Sequence, residues 1–406
     1  MAVEFASSQR STVGIEWELQ LVDKDTLDLR QSADAVLRAV YETYGKSEHI
    51  VQEMLLNTVE VTSHPHQTIT ECGHDLAEYI TRLRPITAAL RIELASAGSH
   101  PFARPAYQRV TESERYAELV QRTGYWGRQM LLYGIHVHVG VEERAKVLPL
   151  IRALLTRFAH LQSLAASSPY WAGDETGYAS NRAMVFQQLP TAGVPRQFDH
   201  WHEFEGYVEG MVNTGVIRSV DELRWDIRPA PRLGTIEVRV CDASSNLREV
   251  LAICALIHCL VEDFSQRFDD GESLPTLPDW FVEENKWRSA RYGMDAELIL
   301  DEAGHQAPVR ETVTQMLTDL EPTAQRLGCR EQLGWVGDIL TGGAGYERQL
   351  QVAEAHGGSL EAVAQYLVEE MKADRPIPPA DFSFQREPER LIVRSDATGG
   401  AKPEPG

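Results

Sequence analysis

The chain has 406 residues, 43% of them hydrophobic, enough for a full-sized core and too many for a wholly disordered polymer. Its 39 Lys and Arg against 60 Asp and Glu give a formal charge of −21, and no long basic run interrupts it. Such a surface repels nucleic acid and anionic membranes, so neither is expected as a partner.

In chain order, residues 1–11 form a short lead without the apolar core of a signal peptide. "GIEWELQL" (14–21) alternates as a β-strand: Ile15, Trp17, Leu19 and Leu21 share one face, Glu16, Glu18 and Gln20 the other. "QSADAVLRAVYETY" (31–44) has helical periodicity. "NTVEVTS" (57–63) turns Val59 and Val61 inward and Thr58, Glu60 and Thr62 outward. A long helix is expected from about Thr70 to Ala97, kinked at Pro85. "GIHVHVGV" (134–141) sends Ile135, Val137, Val139 and Val141 to the core and leaves His136 and His138 together on the opposite face. A second long helix is expected over 144–166. "LRWDIRP" (223–229) buries Leu223, Trp225 and Ile227 and presents Arg224, Asp226 and Arg228. "GTIEVRVCD" (234–242) buries Ile236, Val238 and Val240 and presents Thr235, Glu237 and Arg239, and the "APRLG" between the two suits a hairpin. An amphipathic helix is expected over 247–268; its apolar run "VLAICALIHCLV" (250–261) is too short to span a membrane. Residues 280–372 read as mostly helical and 386–406 as disordered. With no Gly-, Ser- or Pro-rich linker between 15 and 372, the pattern describes one α+β domain over 12–372 and a C-terminal extension over 373–406.

The outward faces are unusual. A solvated sheet face mixes Lys, Ser and Gln with acids, whereas these five strands present mainly Glu, His, Asp and Arg, and no Lys. Carboxylates and imidazoles are ligands for divalent cations such as Mg²⁺ or Mn²⁺. Arginines among them suit a phosphoryl or carboxylate group, which they grip through two parallel hydrogen bonds. The set describes one concave sheet lined with metal ligands and arginines. There is no P-loop, no dinucleotide-binding glycine motif, no nucleophile elbow and no H-E-x-x-H. Any ATP must therefore be held through metals and arginines. The five cysteines, Cys72, Cys241, Cys254, Cys259 and Cys329, are scattered and lack a C-x-x-C pair. That argues against a disulfide framework or zinc ribbon and for a reducing cytosol.

Seven blocks, "GIEWELQLVD", "NTVEVTS", "GIHVHVGV", "SSPYWAGDETGYASNR", "WDIRPAPRLGTIEVRVCD", "ENKWRSARYG" and "GAGYERQL", resemble the carboxylate-amine ligases of the glutamate-cysteine ligase type 2 family over about residues 12–372. The resemblance implies a glutamine synthetase-like catalytic fold, a curved, mostly antiparallel sheet forming a funnel flanked by helices. It implies ATP and Mg²⁺ (or Mn²⁺) as cofactors, small-molecule substrates and a homodimer. It implies a metal cluster of Glu16, Glu18, Glu53, Glu60, His138 and Glu237. Arg239 matches an arginine near the transferring phosphate, and Arg182, in "GYASNR", matches a substrate or phosphate contact; with Glu60 they form the implied catalytic set. Nucleotide contacts are expected from Glu18, His138, Asp226, Arg228, Glu237 and Arg239. The implied chemistry activates a carboxylate, that of the glutamate side chain, as an acyl phosphate. An amine, that of L-cysteine, then displaces phosphate to give an amide.

The residues by themselves leave alternatives open. Glu53 also suits an exposed loop, and His136 a role in orienting the sheet. Arg224 and Arg228 could pair with local acids such as Asp226, and Tyr125 and Trp126 fit either core or pocket wall. Nothing shows a thiol pocket, so another acid or amine would serve the same machinery. A metal-dependent hydrolase and a non-catalytic binding domain are the readings from other classes.

Overall fold

The computed structural model describes residues 2–111 and 114–384, so the tail expected to be disordered (386–406) lies outside the described residues. The strands are β1 (Val13–Asp23), β2 (Ile50–Gln52), β3 (Thr58–Thr62), β4 (Ile92–Ala95) and β5 (Ile135–Gly140), then the small hairpin β6 (Tyr170–Trp171) and β7 (Asp174–Glu175), then β8 (Ile227–Ala230) and β9 (Thr235–Val238). Seven of them form one antiparallel sheet in the order β2-β3-β1-β5-β9-β8, with β4 on the last residues of β1. Strict alternation gives each strand a core face. Ile15, Trp17, Leu19, Val59, Val61, Ile135, Val137, Ile236 and Val238 are all at most 1% exposed. The Trp17 indole N–H donates to Ser96 Oγ at 3.0 Å, satisfying the polar end of the largest buried side chain.

The first eight helices are α1 (Ala33–Tyr44), α2 (Ile69–Ala89), α3 (Glu114–Thr123), α4 (Arg144–Leu155), α5 (Phe158–Ala165), α6 (Asn181–Phe186), α7 (Trp201–Asn213) and α8 (Leu247–Asp269), with α2, α4 and α8 among those that pack against the sheet. The C-terminal third adds α9 (Asp279–Tyr292), a short hairpin of β10 (Glu297–Ile299) and β11 (Gln306–Pro308), and α10 (Val309–Arg326), α11 (Arg330–Gly334), α12 (Val336–Gly342), α13 (Gly345–Ala355) and α14 (Leu360–Ala373). One continuous core runs from Val13 to Met371. In it Arg348 of α13 binds Glu249 of α8 at 2.7 and 2.8 Å and Glu370 of α14 at 2.9 and 3.1 Å, all three side chains buried. All five cysteines are buried and free. No helix among the described residues is long and apolar enough to cross a membrane.

Several expectations need correcting. The helix expected over 70–97 passes through Pro85 but stops at Ala89; Arg91 takes a left-handed φ of 57°, and Ile92–Ala95 joins β1 as β4. The helix expected over 144–166 is two, broken where Thr156 Oγ1 donates to the Ala153 carbonyl at 2.7 Å. The segment 250–261 is not amphipathic: every residue is buried, because α8 has β5 on one side and α2, α4, α10, α11 and α12 around it. The strand expected over 223–229 begins only at Ile227. The N-terminal lead is stitched to the fold, with Val3 in a satellite core beside Phe204 and Trp225 and Ala6 N–H donating to the Pro231 carbonyl at 2.8 Å. Gly234, in the hairpin turn, has φ +64°, and a Cβ there would stand 2.3 Å from the Ala6 carbonyl oxygen.

Candidate active site

Strand register organises the polar face. Pairing sets Glu18 opposite Glu60, Glu16 opposite His136, and Glu237 between His138 and Arg228. Directly opposed residues stand roughly 5 Å apart, so residues far apart in sequence become three adjoining rungs. The first two rungs and Glu53, just beyond β2, line a cavity of about 330 Å³ whose walls include Arg182, Arg224, Arg228 and Arg239 and the apolar Met54, Leu119, Phe186 and Leu189. A second cavity of about 340 Å³, lined by His138 and Glu237, shares Glu16, Asp221, Arg228 and Arg239 with the first. The two form one cleft over the sheet.

Three groups on the rungs have ligand atoms within 4.8 Å of one another: Glu16–His138–Glu237, Glu16–Glu60–His136 and Glu18–Glu53–Glu60. The six expected metal ligands therefore meet, and His136 joins them. The imidazoles suit the task. His138 Nδ1 is tied to Thr235 Oγ1 at 2.9 Å, which leaves Nε2 directed at Glu16 Oε1 (3.3 Å) and Glu237 Oε2 (3.9 Å). An anchored second nitrogen is the usual way a protein aims a metal-binding histidine. His136 Nδ1 contacts Glu16 Oε2 at 2.9 Å, and its buried Nε2 has no partner among the described residues.

The rungs differ electrostatically. Burial would raise the Glu16 carboxyl, but hydrogen bonds from His136 and His138 hold it well below the usual carboxylate range. Burial is likewise outweighed at Glu237, where Arg239 and Arg228 hold the carboxyl far down. At Glu18 burial wins: burial, then the Glu53 charge, pushes the carboxyl up to about 8 against the opposing pull of Arg182, the Gly134 N–H and Arg239. Glu60 is raised well above its usual value by burial and by Glu16, Glu53 and Glu18. Burial, then Arg239, lowers His136 to about 4. Two carboxylates facing each other across a pair of strands repel, and burial adds to this, so without a cation the rung is shifted towards its protonated forms. A divalent ion would displace those protons.

The arginines are fixed by the same carboxylates. Arg228 Nε donates to Glu237 Oε2 at 2.7 Å, and its Nη1 donates to the Asp221 and Leu223 carbonyls at 2.6 and 2.7 Å. Arg239 Nη1 donates to Glu237 Oε1, and its buried Nε has no partner among the described residues. Arg182, in the first turn of α6, donates to the Arg239 carbonyl at 3.1 Å and the Val240 carbonyl at 3.4 Å. Gly134 makes room for Arg182, since a Cβ there would lie 2.3 Å from Arg182 Nη2 and push the guanidinium aside, and the Gly134 N–H donates to Glu18 Oε2 at 2.6 Å.

One expected site residue is not brought to the cleft. Asp226 precedes β8, and its carboxylate is held by Lys286 Nζ of α9 at 2.5 Å, with both side chains buried. Arg224 lines the cavity and donates to the Glu222 carbonyl at 3.2 Å; Tyr125 and Trp126 are 62% and 44% exposed. Sequence reasoning missed the anchoring role of Lys286, although its "ENKWRSARYG" block stood out, and that of Asp242. The Asp242 carboxylate accepts from Ser167 N–H (3.0 Å), Ser168 Oγ (2.6 Å) and Ser180 Oγ (2.8 Å) and so positions the loop that leads to Arg182.

The model of the glutamate-cysteine ligase family 2 matches residues 12–366. The chain belongs to this family. A protein of Arthrobacter sp. (strain FB24), provisionally named glutamate–cysteine ligase 2-1, is 50% identical over 378 residues, covering 92% of this chain and 99% of that one. The structure of glutamate–cysteine ligase from Francisella tularensis in complex with AMP matches with a TM-score of 0.63 and 11% identity over 90% of each chain. A bifunctional glutathione synthetase from Pasteurella multocida matches with a TM-score of 0.62 and 17% identity, over 89% of this chain and 51% of that one. At such identities the two structures show the fold, which is the expected α+β, glutamine synthetase-like one. Membership in glutamate-cysteine ligase family 2 makes the protein an ATP-dependent carboxylate–amine ligase.

Proposed function

We propose that this ligase couples the side-chain carboxylate of glutamate to the amine of L-cysteine, using ATP with Mg²⁺ or Mn²⁺. The observation that carries the reading is the carboxylate floor, half-buried Glu18 and Glu53 with buried Glu60, which asks for cations in a cavity walled by arginines. The names of the relatives supply the substrates. Glu16, Glu18, Glu53, Glu60, His138 and Glu237 would hold the divalent ions, with His136 Nε2 beside them. Bound nucleotide and metal supply the phosphoryl group and the charge neutralisation that turn a carboxylate into an acylating agent. Arg239, clamped by Glu237, offers its unpaired Nε–H to a phosphoryl oxygen. Arg182, held by two backbone carbonyls, binds a substrate carboxylate. Glu60, on the floor, accepts the proton that the attacking ammonium must lose. Met54, Leu119, Phe186 and Leu189 exclude water from the activated acyl group.

The test is phosphate release from ATP with Mg²⁺, glutamate and a panel of amines that includes cysteine. The expected result is release that needs both acid and amine and is fastest with cysteine. Release that needs both but prefers another pair reassigns the substrates. Release with water alone, or none with any pair, overturns the reading.

A further inference from the structure

A second cluster of ligating side chains lies outside the cleft, in the connection between β3 and α2. His64 and His66 sit in "SHPHQT" (63–68), and Asp75 is on α2 nearly two turns beyond its start. One carboxylate oxygen gathers the group. Asp75 Oδ2 lies 2.9 Å from His64 Nδ1 and 2.8 Å from His66 Nε2, and it accepts from the His64 backbone N–H at 2.9 Å. Burial would raise the Asp75 carboxyl, but these hydrogen bonds hold it below its usual range. The three ligand atoms lie within 4.8 Å of one another, and none of the three residues lines the cleft. The rings are also constrained. His64 packs on His49 at 3.9 Å between centroids, His49 stacks on Tyr79 at 5.3 Å, and His49 Nδ1 contacts the Thr62 carbonyl at 3.1 Å. His66 exchanges both backbone hydrogen bonds with Val13, at 2.7 and 2.9 Å.

We propose that His64 Nδ1, His66 Nε2 and Asp75 Oδ2 form a binding site for a single borderline-soft divalent transition metal, Zn²⁺ or a relative, separate from the cations of the cleft. Two imidazoles with one carboxylate select Zn²⁺ over Mg²⁺, the reverse of the oxygen-rich floor. Zinc bonds of about 2.0–2.2 Å need ligand separations of roughly 3.3 Å. The carboxylate oxygen therefore withdraws by about half an ångström, and the proton on each facing nitrogen is lost to solvent or moves to the other nitrogen of its ring. His64, whose side chain is 52% exposed, leaves the fourth position to water. The ion joins the β3–α2 connection to α2 and, through His66 and Val13, to the strand that carries Glu16 three residues on.

The experiment titrates the full chain with Zn²⁺ in excess Mg²⁺, added to compete for the oxygen-rich floor of the cleft, and records X-ray absorption at the zinc edge. Wild type is expected to bind one equivalent with two imidazole nitrogens in its shell. Asp75→Asn and the double variant His64→Gln/His66→Gln are expected to lose it, while Glu16→Gln keeps it. No zinc bound by wild type, a shell of oxygens only, or loss in Glu16→Gln with retention in the double variant would overturn the assignment. Because the cleft also offers the imidazoles of His136 and His138, the wild-type shell alone does not decide; circular dichroism checks that each variant is folded, and a folded double variant that keeps a two-imidazole shell overturns the assignment.

Discussion

Replacing Glu18 by Gln should stabilise the metal-free protein while destroying its activity. In the folded chain the Glu18 carboxyl is pushed from 4.5 up to about 8, chiefly by burial. A folded value above the unfolded one contributes stability that is fully present below pH 4.5 and is lost as pH rises towards 8. The whole displacement corresponds to about 5 kcal/mol, of which about 3 kcal/mol is already expressed at pH 7. Gln has the shape of the protonated acid and keeps an oxygen for the Gly134 N–H. Urea unfolding in EDTA should therefore show the two proteins equally stable near pH 4, with Glu18→Gln pulling ahead by about 3 kcal/mol at pH 7 and about 5 kcal/mol above pH 8. The acid-side losses from Glu16 and Glu237, whose carboxyls lie below their usual range, fall beneath pH 4.5 in both proteins and cancel in the comparison. Adding Mg²⁺ should raise wild type and leave the variant little changed. Parallel pH profiles in EDTA would refute the claim that this rung holds protons until cations arrive.

Three further outcomes are expected. Glu237→Gln should lower ATP turnover by more than about a hundredfold, because it removes an expected metal ligand and releases Arg228 and Arg239 together; circular dichroism should show the fold intact, and normal turnover would sink the metal-cluster assignment. Arg239→Lys should cost on the order of 10²-fold in kcat, read by phosphate release, since a point charge cannot both clamp Glu237 and present a second donor. Arg348→Ala should cost about 3–5 kcal/mol in urea unfolding by leaving Glu249 and Glu370 buried without a counter-charge, whereas Arg348→Met with Glu249→Gln and Glu370→Gln should recover part of that loss.

The polar faces were legible because a strand's period fixes which residues share a side, whatever the strand pairs with. Register was not legible, since it depends on partners far along the chain; that Glu18 faces Glu60, 42 residues on, and His138 faces Glu237, 99 residues on, had to be seen. Asp226 shows the limit of alternation. It has the right parity with Arg228, but the strand starts one residue later, and Lys286, 60 positions on, captures its carboxylate. The break at Thr156 was missed because a threonine hydroxyl competing for a carbonyl leaves the hydrophobic period intact. The strand Ile92–Ala95 was missed because four residues after a helix carry too little pattern of their own, and pairing with β1 decides their state.

The two ends of the cleft ask different things of a cation. Around Glu237 the protein already supplies positive charge through Arg228, Arg239 and His138, so the carboxylates are ionised before any metal arrives. There an ion competes with protein cations and gains little that the fold has not already provided. At Glu18 and Glu60 burial and the neighbouring carboxylates outweigh the pull of Arg182 and Arg239, and both carboxyls are shifted up towards their protonated forms. Here an ion relieves a repulsion that the fold leaves standing, and its affinity must rise with pH through the range where those protons leave. Compensating this end with further arginines would have stabilised the empty protein and removed the reason for a cation to bind. The cost of crowding Glu18 and Glu60 together is carried by the large apolar face beneath them, where Trp17, Leu19, Val59 and Val61 are fully buried on the same strands.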